Sequence, residues 1–219
     1  MSHSSSATAH VAHQFEDSAQ QYNAAILGMW AFLVTEIMFF GGMFMAYILY
    51  RSKYEQAFEH ASHHLDVTLG TINTAVLIGS SFTMVMAVHA AQTGRVRRVV
   101  SCLLATMGLG SVFLVIKGFE YHHKFVEGLI PGPSWSYVAP DAKQQELFIS
   151  IYFAMTGLHA THMIIGLGIL GYLTYKASRG TYDAHYYTPI DCAGLYWHFV
   201  DIVWIFLFPL LYLLGRSGH

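Results

Sequence analysis

The chain has 219 residues, of which 54% are hydrophobic and only 11% are charged, with 11 Lys and Arg against 13 Asp and Glu. Soluble domains carry about 25% charged residues, so this composition excludes a disordered chain and most soluble enzymes. The net charge of −2 provides no basic excess for phosphate groups, which excludes a nucleic-acid binder. The composition therefore predicts a membrane protein.

Five long apolar stretches organise the chain. Residues 1–22 are rich in Ser, Ala, Gln and His and are predicted to form a polar N-terminal tail; residues 216–219 form a short C-terminal tail. About 20 helical residues cross the hydrocarbon core of a bilayer, and every stretch is long enough. Strand-like alternation is absent. The sequence predicts an all-α, polytopic membrane protein, a bundle of five transmembrane helices at residues 23–50, 69–91, 99–119, 147–175 and 193–215.

The distribution of Lys and Arg bears on orientation. An odd number of helices places the two termini on opposite sides of the membrane, and the two sides carry equal numbers of Lys and Arg. The loop at residues 92–98 is the densest, because it holds Arg95, Arg97 and Arg98. Positive charge favours the inner side, so this loop favours an inner N-terminus.

Three formal charges fall inside the predicted spans, at Glu36, Lys117 and Asp201. Lys117 is close to a helix end, where its side chain is expected to extend towards the interface. Glu36 has an apolar environment, and ionisable residues within spans indicate function. It is interpreted as a proton-exchanging site, as an anchor for a lipid head group, or as a bond to a neighbouring helix. The helical rise places Glu36 and His162 at the same depth, roughly 20 Å from the N-terminal side.

The last span contains a polar cluster, in which Trp197, Asp201 and Trp204 share one helical face and His198 and Asp201 share another. Asp201 is expected to pair with His198 within one turn, or to accept a hydrogen bond from an indole N–H. The favoured interpretation is a structural cluster that satisfies itself. A proton relay and a docking ridge for another subunit are the alternatives.

The histidines of the apolar stretches are candidate metal ligands. His159 and His162 are spaced to point the same way, but a bis-imidazole haem needs facing histidines at one depth. His198 lies at about 8 Å from the N-terminal side, against about 20 Å for His162. No combination has a recognised zinc spacing, so the sequence predicts no metal site.

Residues 166–171 match the pattern GxGxxG, but no strand precedes them and they lie inside an apolar helix. A dinucleotide site is therefore rejected. Small residues permit close helix packing in membranes, and the same role is expected for Gly41, Gly42, Gly108 and Gly110.

Five segments occur in an order that resembles subunit III of haem–copper terminal oxidases, most closely the cytochrome c oxidase subunit III family. The resemblance covers about residues 23–215 and fits the five-helix bacterial form, whereas the mitochondrial form has seven helices. The segments are Thr35–Gly42, Ile72–Leu77, Gly118–His122, Thr156–His162 and Tyr196–Trp204.

The resemblance implies an accessory subunit of a proton-pumping cytochrome c oxidase that packs on catalytic subunit I beside subunit II, with cytochrome c as electron donor. It implies no catalytic residue or redox centre in this chain, because haem and copper belong to the partner subunits. It also implies bound phospholipid, support of proton uptake and stability of the active site. Glu36 matches the intramembrane carboxylate of the family, and His159, His162 and Trp197 match positions around its lipid cleft.

The resemblance further implies a bacterial plasma membrane, with the N-terminus cytoplasmic and the C-terminus outside. Three alternatives are kept. Quinol oxidases use a five-helix relative, so helix number does not fix the donor. An accessory protein of a nitric oxide reductase is related in fold, and a small proton or ion transporter using Glu36 is disfavoured by the absence of an inverted repeat.

Overall fold

The computed structural model describes residues 12–63, 65–132, 135, 140–184 and 186–213. Within these ranges the chain forms helices and no strand. Five of the helices are long and apolar enough to cross a membrane, which confirms the predicted all-α fold with five spans. The helices are α1 (Ser18–Lys53), α2 (Glu55–Ser62), α3 (Val67–Gln92), α4 (Val96–Val126), α5 (Ala142–Ser178) and α6 (Thr188–Phe208), and α6 continues into a π-helical segment at Pro209–Leu213.

The helices begin earlier and end later than most of the predicted spans, because polar residues at helix ends carry no hydropathy signal. α1 starts at Ser18, so the end of the predicted tail at 1–22 is helical. The carboxylate of Asp17 accepts a hydrogen bond from the backbone N–H of Gln20 at 2.6 Å and caps this helix. Residues 1–11 and the predicted tail at 216–219 lie outside the described residues.

Four helices form the central bundle. α3 packs against α4 and α6, and α5 packs against the same two helices from the other side. α1 lies outside this bundle, against α6 and α5. Only 17% of the apolar stretch of α1 is buried, compared with 61% in α6. α6 is therefore the central helix, and α1 is a peripheral one.

Hydrogen bonds attach α1 to the bundle at three heights. Near its start, the hydroxyl of Tyr22 donates to Oδ2 of Asp191 on α6 at 2.6 Å. Near its end, the hydroxyl of Tyr47 donates to the carbonyl of Leu210 at 2.7 Å. Between them, Glu36 bonds to α5.

The short helix α2 packs against the first residues of α5, on the side of the bundle away from the N-terminus of the chain. His60 lies 3.2 Å from Oδ2 of Asp141, and the side-chain amide of Gln145 donates to Oδ1 of Asp141 at 2.8 Å. Slight burial raises the pKa of the Asp141 carboxyl, but the hydrogen bonds from His60 and Gln145 lower it by more, so this pKa lies below its ordinary value. The contact fixes the loop that enters α5.

Two of the expected close helix contacts are present. A Cβ at Gly110 would lie 2.8 Å from the indole ring of Trp197, and one at Gly166 would lie 3.0 Å from it, so both glycines make room for this ring. Gly41, Gly42 and Gly108 have no described atom within 4 Å of such a Cβ, so they make no close helix contact within the described part of this chain. Those three glycines lie on faces that no other described helix covers.

Candidate functional site

Glu36 and His162 form a contact between α1 and α5. Oε2 of Glu36 lies 3.1 Å from Nε2 of His162, and their side chains are 18% and 12% exposed. The other ring nitrogen of His162, Nδ1, lies 2.9 Å from the carbonyl of Leu158. A carbonyl can only accept, so Nδ1 carries a hydrogen and donates it. This bond fixes the tautomer of His162.

The fixed tautomer determines what the pair can do. In the neutral imidazole Nε2 accepts, so Glu36 must be the donor; in the imidazolium Nε2 donates to a carboxylate. One proton lies between the two residues in either arrangement, and the pair carries no net charge in either. The contact is therefore compatible with an apolar environment and can also place a proton on either partner.

Aromatic rings hold the imidazole of His162 in place. The ring centroid of Phe40 is 5.3 Å from that of His162, and the ring of Tyr196 stacks on the imidazole with a centroid distance of 6.5 Å. The hydroxyl of Tyr196 donates to the carbonyl of His162 at 2.9 Å. The side chain that meets Glu36 is thus oriented by groups from α1, α5 and α6.

A cavity of about 600 Å³ adjoins the pair, between α1, α5 and α6; we refer to it as the α1 cleft. Pro189 and Cys192 lie where α6 begins, whereas Glu36 and His162 lie deeper along their helices. Apolar side chains form most of the wall, and such walls bind apolar ligands with a few polar groups to orient them. The residues of the wall are Met29, Phe32, Glu36, His162, Ile165, Ile169, Tyr172, Leu173, Pro189, Cys192, Ala193 and Tyr196.

The structure places His159 and Trp197 away from the α1 cleft, contrary to the expectation that they border it. His159 is fully buried, with its ring 5.4 Å from Phe113 and 5.2 Å from Trp204. Residues three positions apart on a helix differ in direction by about 60°, so His162 faces α1 while His159 faces the bundle. The indole of Trp197 is also fully buried.

The predicted polar cluster on α6 bonds to α3 instead of to itself. Nδ1 of His198 lies 2.8 Å from the hydroxyl of Ser81, and the indole of Trp204 donates to the hydroxyl of Thr74 at 3.1 Å. Trp197 similarly donates to the hydroxyl of Ser80 at 3.1 Å. The prediction that Asp201 pairs with a neighbour on its own helix is wrong, because hydroxyl groups on α3 take those partners.

Asp201 is the exception within this cluster. Its side chain is buried at 3% exposure, and neither carboxyl oxygen has a hydrogen-bond partner within the described ranges. It borders a second cavity, of about 470 Å³, between α3 and α6. A buried polar group without a partner is costly and calls for an explanation.

Sequence reasoning missed a buried ionic cluster around Lys117. This residue was expected to extend towards the interface, but it is 3% exposed and donates to Glu120 at 3.0 Å, to Tyr152 at 3.1 Å and to Tyr212 at 2.8 Å. α4 continues to Val126, so Lys117 is inside the helix and not at its end. The signal was available in the acid three residues further on, which shares a helix face with the lysine.

Among the residues that the structure describes, no group of three or more His, Cys, Asp or Glu is placed to hold a metal ion. His159 and His162 point in different directions, which leaves the i,i+3 pair without a shared site.

The comparisons with known proteins agree on one family. The sequence profile described as cytochrome c oxidase subunit III matches residues 6–216. The chain is 34% identical over 192 residues to cytochrome c oxidase subunit 3 of Thermostichus vulcanus, covering 87% of this chain and 88% of the relative. It is 32% identical over 221 residues to quinol oxidase subunit 3 of Bacillus spizizenii, covering 95% and 98%. A relative from Corynebacterium diphtheriae, cytochrome c oxidase subunit 3, is 32% identical over 87% of this chain and 88% of its own length. The chain belongs to the cytochrome c oxidase subunit III family, within the haem–copper oxidases.

Proposed function

We propose that this chain is the accessory subunit III of a proton-pumping cytochrome c oxidase and packs against catalytic subunit I, with subunit II in the same complex. The observation that carries the proposal is the family match over residues 6–216, which is almost the whole chain. The haem and copper centres belong to the partner subunits in this proposal. The chain lies in the bacterial plasma membrane with its N-terminus in the cytoplasm and its C-terminus outside.

The α1 cleft is proposed to hold an acyl chain of a phospholipid. Its wall is mostly apolar, and it extends from the start of α6 down to the Glu36–His162 pair. Met29 and Glu36 are separated by about 10 Å along the helix axis, which is a large part of one leaflet. The pair is neutral as a unit, so it can border an acyl chain without a head group beside it.

The Glu36–His162 pair has two proposed roles in the oxidase. It bonds the peripheral helix α1 to α5, and this supports the cleft and the stability of the complex during turnover. It also has one proton that either residue can hold, which supports a contribution to proton uptake. The two roles predict different effects of Glu36→Gln, and we favour the role of bonding α1 to α5.

A quinol oxidase is the second candidate for the complex. The match to quinol oxidase subunit 3 of Bacillus spizizenii covers 98% of that relative, compared with 88% for the cytochrome c oxidase relative of Thermostichus vulcanus. The electron donor is a property of the whole complex. It is identified by the substrate that the purified complex oxidises.

Purification in a mild detergent tests both proposals. The chain is expected to co-purify with haem-bearing subunits, and the complex is expected to consume oxygen with reduced cytochrome c. Oxygen consumption with a quinol alone would replace the first candidate by the second. A haem spectrum from the isolated chain, or purification without any haem-bearing partner, would contradict the proposal of an accessory subunit.

A further inference from the structure

A second surface depression lies on the opposite side of α6 from the α1 cleft. The cavity of about 470 Å³ between α3 and α6 is open along a face with large exposed side chains, among them Phe82 at 66% and Ile202 at 50%. We call it the α3/α6 groove. Its wall consists of Leu77, Ile78, Ser81, Phe82, Val85, His198, Asp201, Ile202 and Ile205.

The α3/α6 groove contains a carboxyl group whose hydrogen bonds are incomplete. Neither oxygen of Asp201 has a partner among the described residues. The neighbouring hydroxyl of Ser81 has a single proton and already lies 2.8 Å from Nδ1 of His198. Even if that proton turned towards Asp201, one carboxyl oxygen would remain without a donor, because a carboxylate accepts through both of its oxygens.

The environment of the groove determines which kind of group can supply the missing hydrogen bonds of Asp201. Thr188 begins α6, and Asp201 lies 13 residues later, about 20 Å along the helix from its start and within the apolar part of α6. Polar groups in such a position need partners, because the bilayer core supplies no water. An acyl chain has no hydrogen-bond donor, so lipid covering the groove would leave the carboxyl group unsatisfied. The α1 cleft differs, since Glu36 and His162 satisfy each other.

The groove also extends towards the membrane surface. A further cavity of about 310 Å³ shares Val85 and His198 with it and continues to Asp191 and Gln92, near the start of α6 and the end of α3. The walls of the two cavities together extend along α6 from Asp191 to Ile205, about 20 Å. This length fits a helix lying along the α3/α6 face and exceeds the size of a small polar ligand.

We propose that the α3/α6 groove is the surface on which a transmembrane helix of another oxidase subunit docks, with a hydrogen-bond donor side chain from that helix directed at Asp201. The inference rests on the proposed function, because it takes the partner from the oxidase complex. Exposed apolar side chains on either side of the groove pack against the partner helix. The donor lies near the middle of that helix, at the depth of Asp201.

Photo-crosslinking in the intact complex tests which molecule covers the groove. Phe82→p-benzoyl-phenylalanine and Ile202→p-benzoyl-phenylalanine place the probe in the groove, and Met38→p-benzoyl-phenylalanine places it on α1, where the side chain is 73% exposed. The groove probes are expected to form a covalent adduct with another oxidase subunit, and the Met38 probe is not. Adducts with lipid alone, or with a second copy of this chain, at both groove positions would overturn the inference.

Two substitutions at Asp201 test the hydrogen bond itself. Removing one partner of a buried hydrogen-bonded pair at an interface weakens association by about tenfold or more, so Asp201→Leu is expected to lower by that factor the affinity of this chain for the haem-bearing complex, measured as loss of the chain on serial dilution. Asp201→Asn keeps an acceptor oxygen and is expected to retain most of it. Retention of Asp201→Leu at the level of the native chain would contradict the docking role.

Stability of the isolated chain separates docking from folding. Asp201→Leu removes an unsatisfied polar group, so the isolated variant is expected to be at least as stable as the native chain. If Asp201→Leu is lost from the complex while the isolated variant is as stable as the native chain, the result supports docking. If the isolated variant unfolds, the crosslinks from the groove probes test the proposal instead. If the native chain does not co-purify with haem-bearing subunits, the proposed function fails; if it does, and the groove crosslinks only lipid, this inference alone fails.

Discussion

Lys117 and Glu120 form an ion pair inside the bundle, with Nζ 3.0 Å from Oε2 and with side chains only 4% and 3% exposed. The hydroxyls of Tyr152 and Tyr212 donate to the other carboxylate oxygen and accept from the lysine. Nζ also lies 4.9 Å from the ring of Trp204. A buried pair with this many hydrogen bonds is satisfied as a unit, so α4, α5 and the end of α6 are joined through it.

Removal of the lysine alone is expected to be costly. Lys117→Met leaves Glu120 as an uncompensated buried charge, which typically destabilises a protein by about 3–5 kcal/mol. The double variant Lys117→Met/Glu120→Leu removes both charges. Its phenols can bond each other, since the hydroxyls of Tyr152 and Tyr212 are already 3.5 Å apart. The double variant is therefore expected to be more stable than the single one, as measured by equilibrium unfolding in mixed micelles.

A second Lys–Glu pair on the same helix is the matched control. Lys124 lies 3.1 Å from Glu127 with the same i,i+3 spacing, but the side chain of Glu127 is 36% exposed. Because water solvates Glu127 when its partner is removed, Lys124→Met is expected to cost less than Lys117→Met. Equal losses from the two variants would show that burial of the carboxylate does not determine the effect.

Substitution of Glu36 separates its two proposed roles. The amide N–H of Glu36→Gln can donate to Nε2 of His162, so the bond between α1 and α5 is retained while proton transfer is lost. We expect the initial rate of oxygen reduction and the number of protons pumped per electron to stay near those of the native complex. Glu36→Leu loses the bond, and both retained phospholipid and the number of turnovers before inactivation are expected to fall.

The opposite pattern has a clear interpretation. If Glu36→Gln pumps fewer protons per electron while its phospholipid content stays native, the proton on the Glu36–His162 pair participates in proton uptake. Lipid is counted in the purified complex by phosphate analysis or mass spectrometry, and pumping is measured in reconstituted vesicles.

The room that two glycines leave for Trp197 can be tested by adding one carbon. Gly166→Ala places a Cβ about 3.0 Å from the buried indole, and overpacking of this kind costs about 1–3 kcal/mol. Gly168→Ala on the same helix meets no described atom within 4 Å, and alanine favours helix by about 1 kcal/mol over glycine. The first variant is expected to unfold more easily than the native chain and the second less easily. A lower stability of Gly168→Ala than of Gly166→Ala would contradict the packing around Trp197.

The sequence predicts how deep a residue lies in the membrane better than it predicts which way its side chain points. Hydropathy and length located all five spans, and the helical rise placed Glu36 and His162 at one depth; the structure brings these two side chains into contact. The rise does not say which helices are neighbours. Spacing along one helix predicts that His159 points the same way as His162, but the structure turns His159 towards Phe113.

The remaining differences between prediction and structure arise because polar side chains bond to partners on neighbouring helices. Asp201 was assigned a partner on α6, but the indoles and the imidazole of that helix bond to hydroxyls of α3. Serine and threonine are common in apolar stretches and carry no signal of which helix they meet. The apolar stretch ends at residue 119 and so predicts that Lys117 is near a helix end, whereas the helical backbone continues to Val126.

The hydrogen bond between Tyr22 and Asp191 is expected to control entry to the α1 cleft, because it attaches the start of α1 to α6 at the end of the cleft nearer the membrane surface. Loss of a hydrogen bond to a charged group costs about 1.5–3 kcal/mol, so Tyr22→Phe should let this end of α1 separate more often. Cys192 lines the cleft and is a native reporter; Cys102 on α4 does not line it.

Alkylation by a membrane-permeant maleimide measures the opening in the purified complex. Tyr22→Phe is expected to accelerate modification of Cys192 several-fold and to leave Cys102 unchanged. Tyr47→Phe is the matched control, because it removes a phenol hydroxyl from the other end of α1, where the bond is to the carbonyl of Leu210. Equal acceleration by Tyr47→Phe would mean that α1 moves as one rigid body, and no acceleration by Tyr22→Phe would show that the cleft is held closed by apolar packing alone.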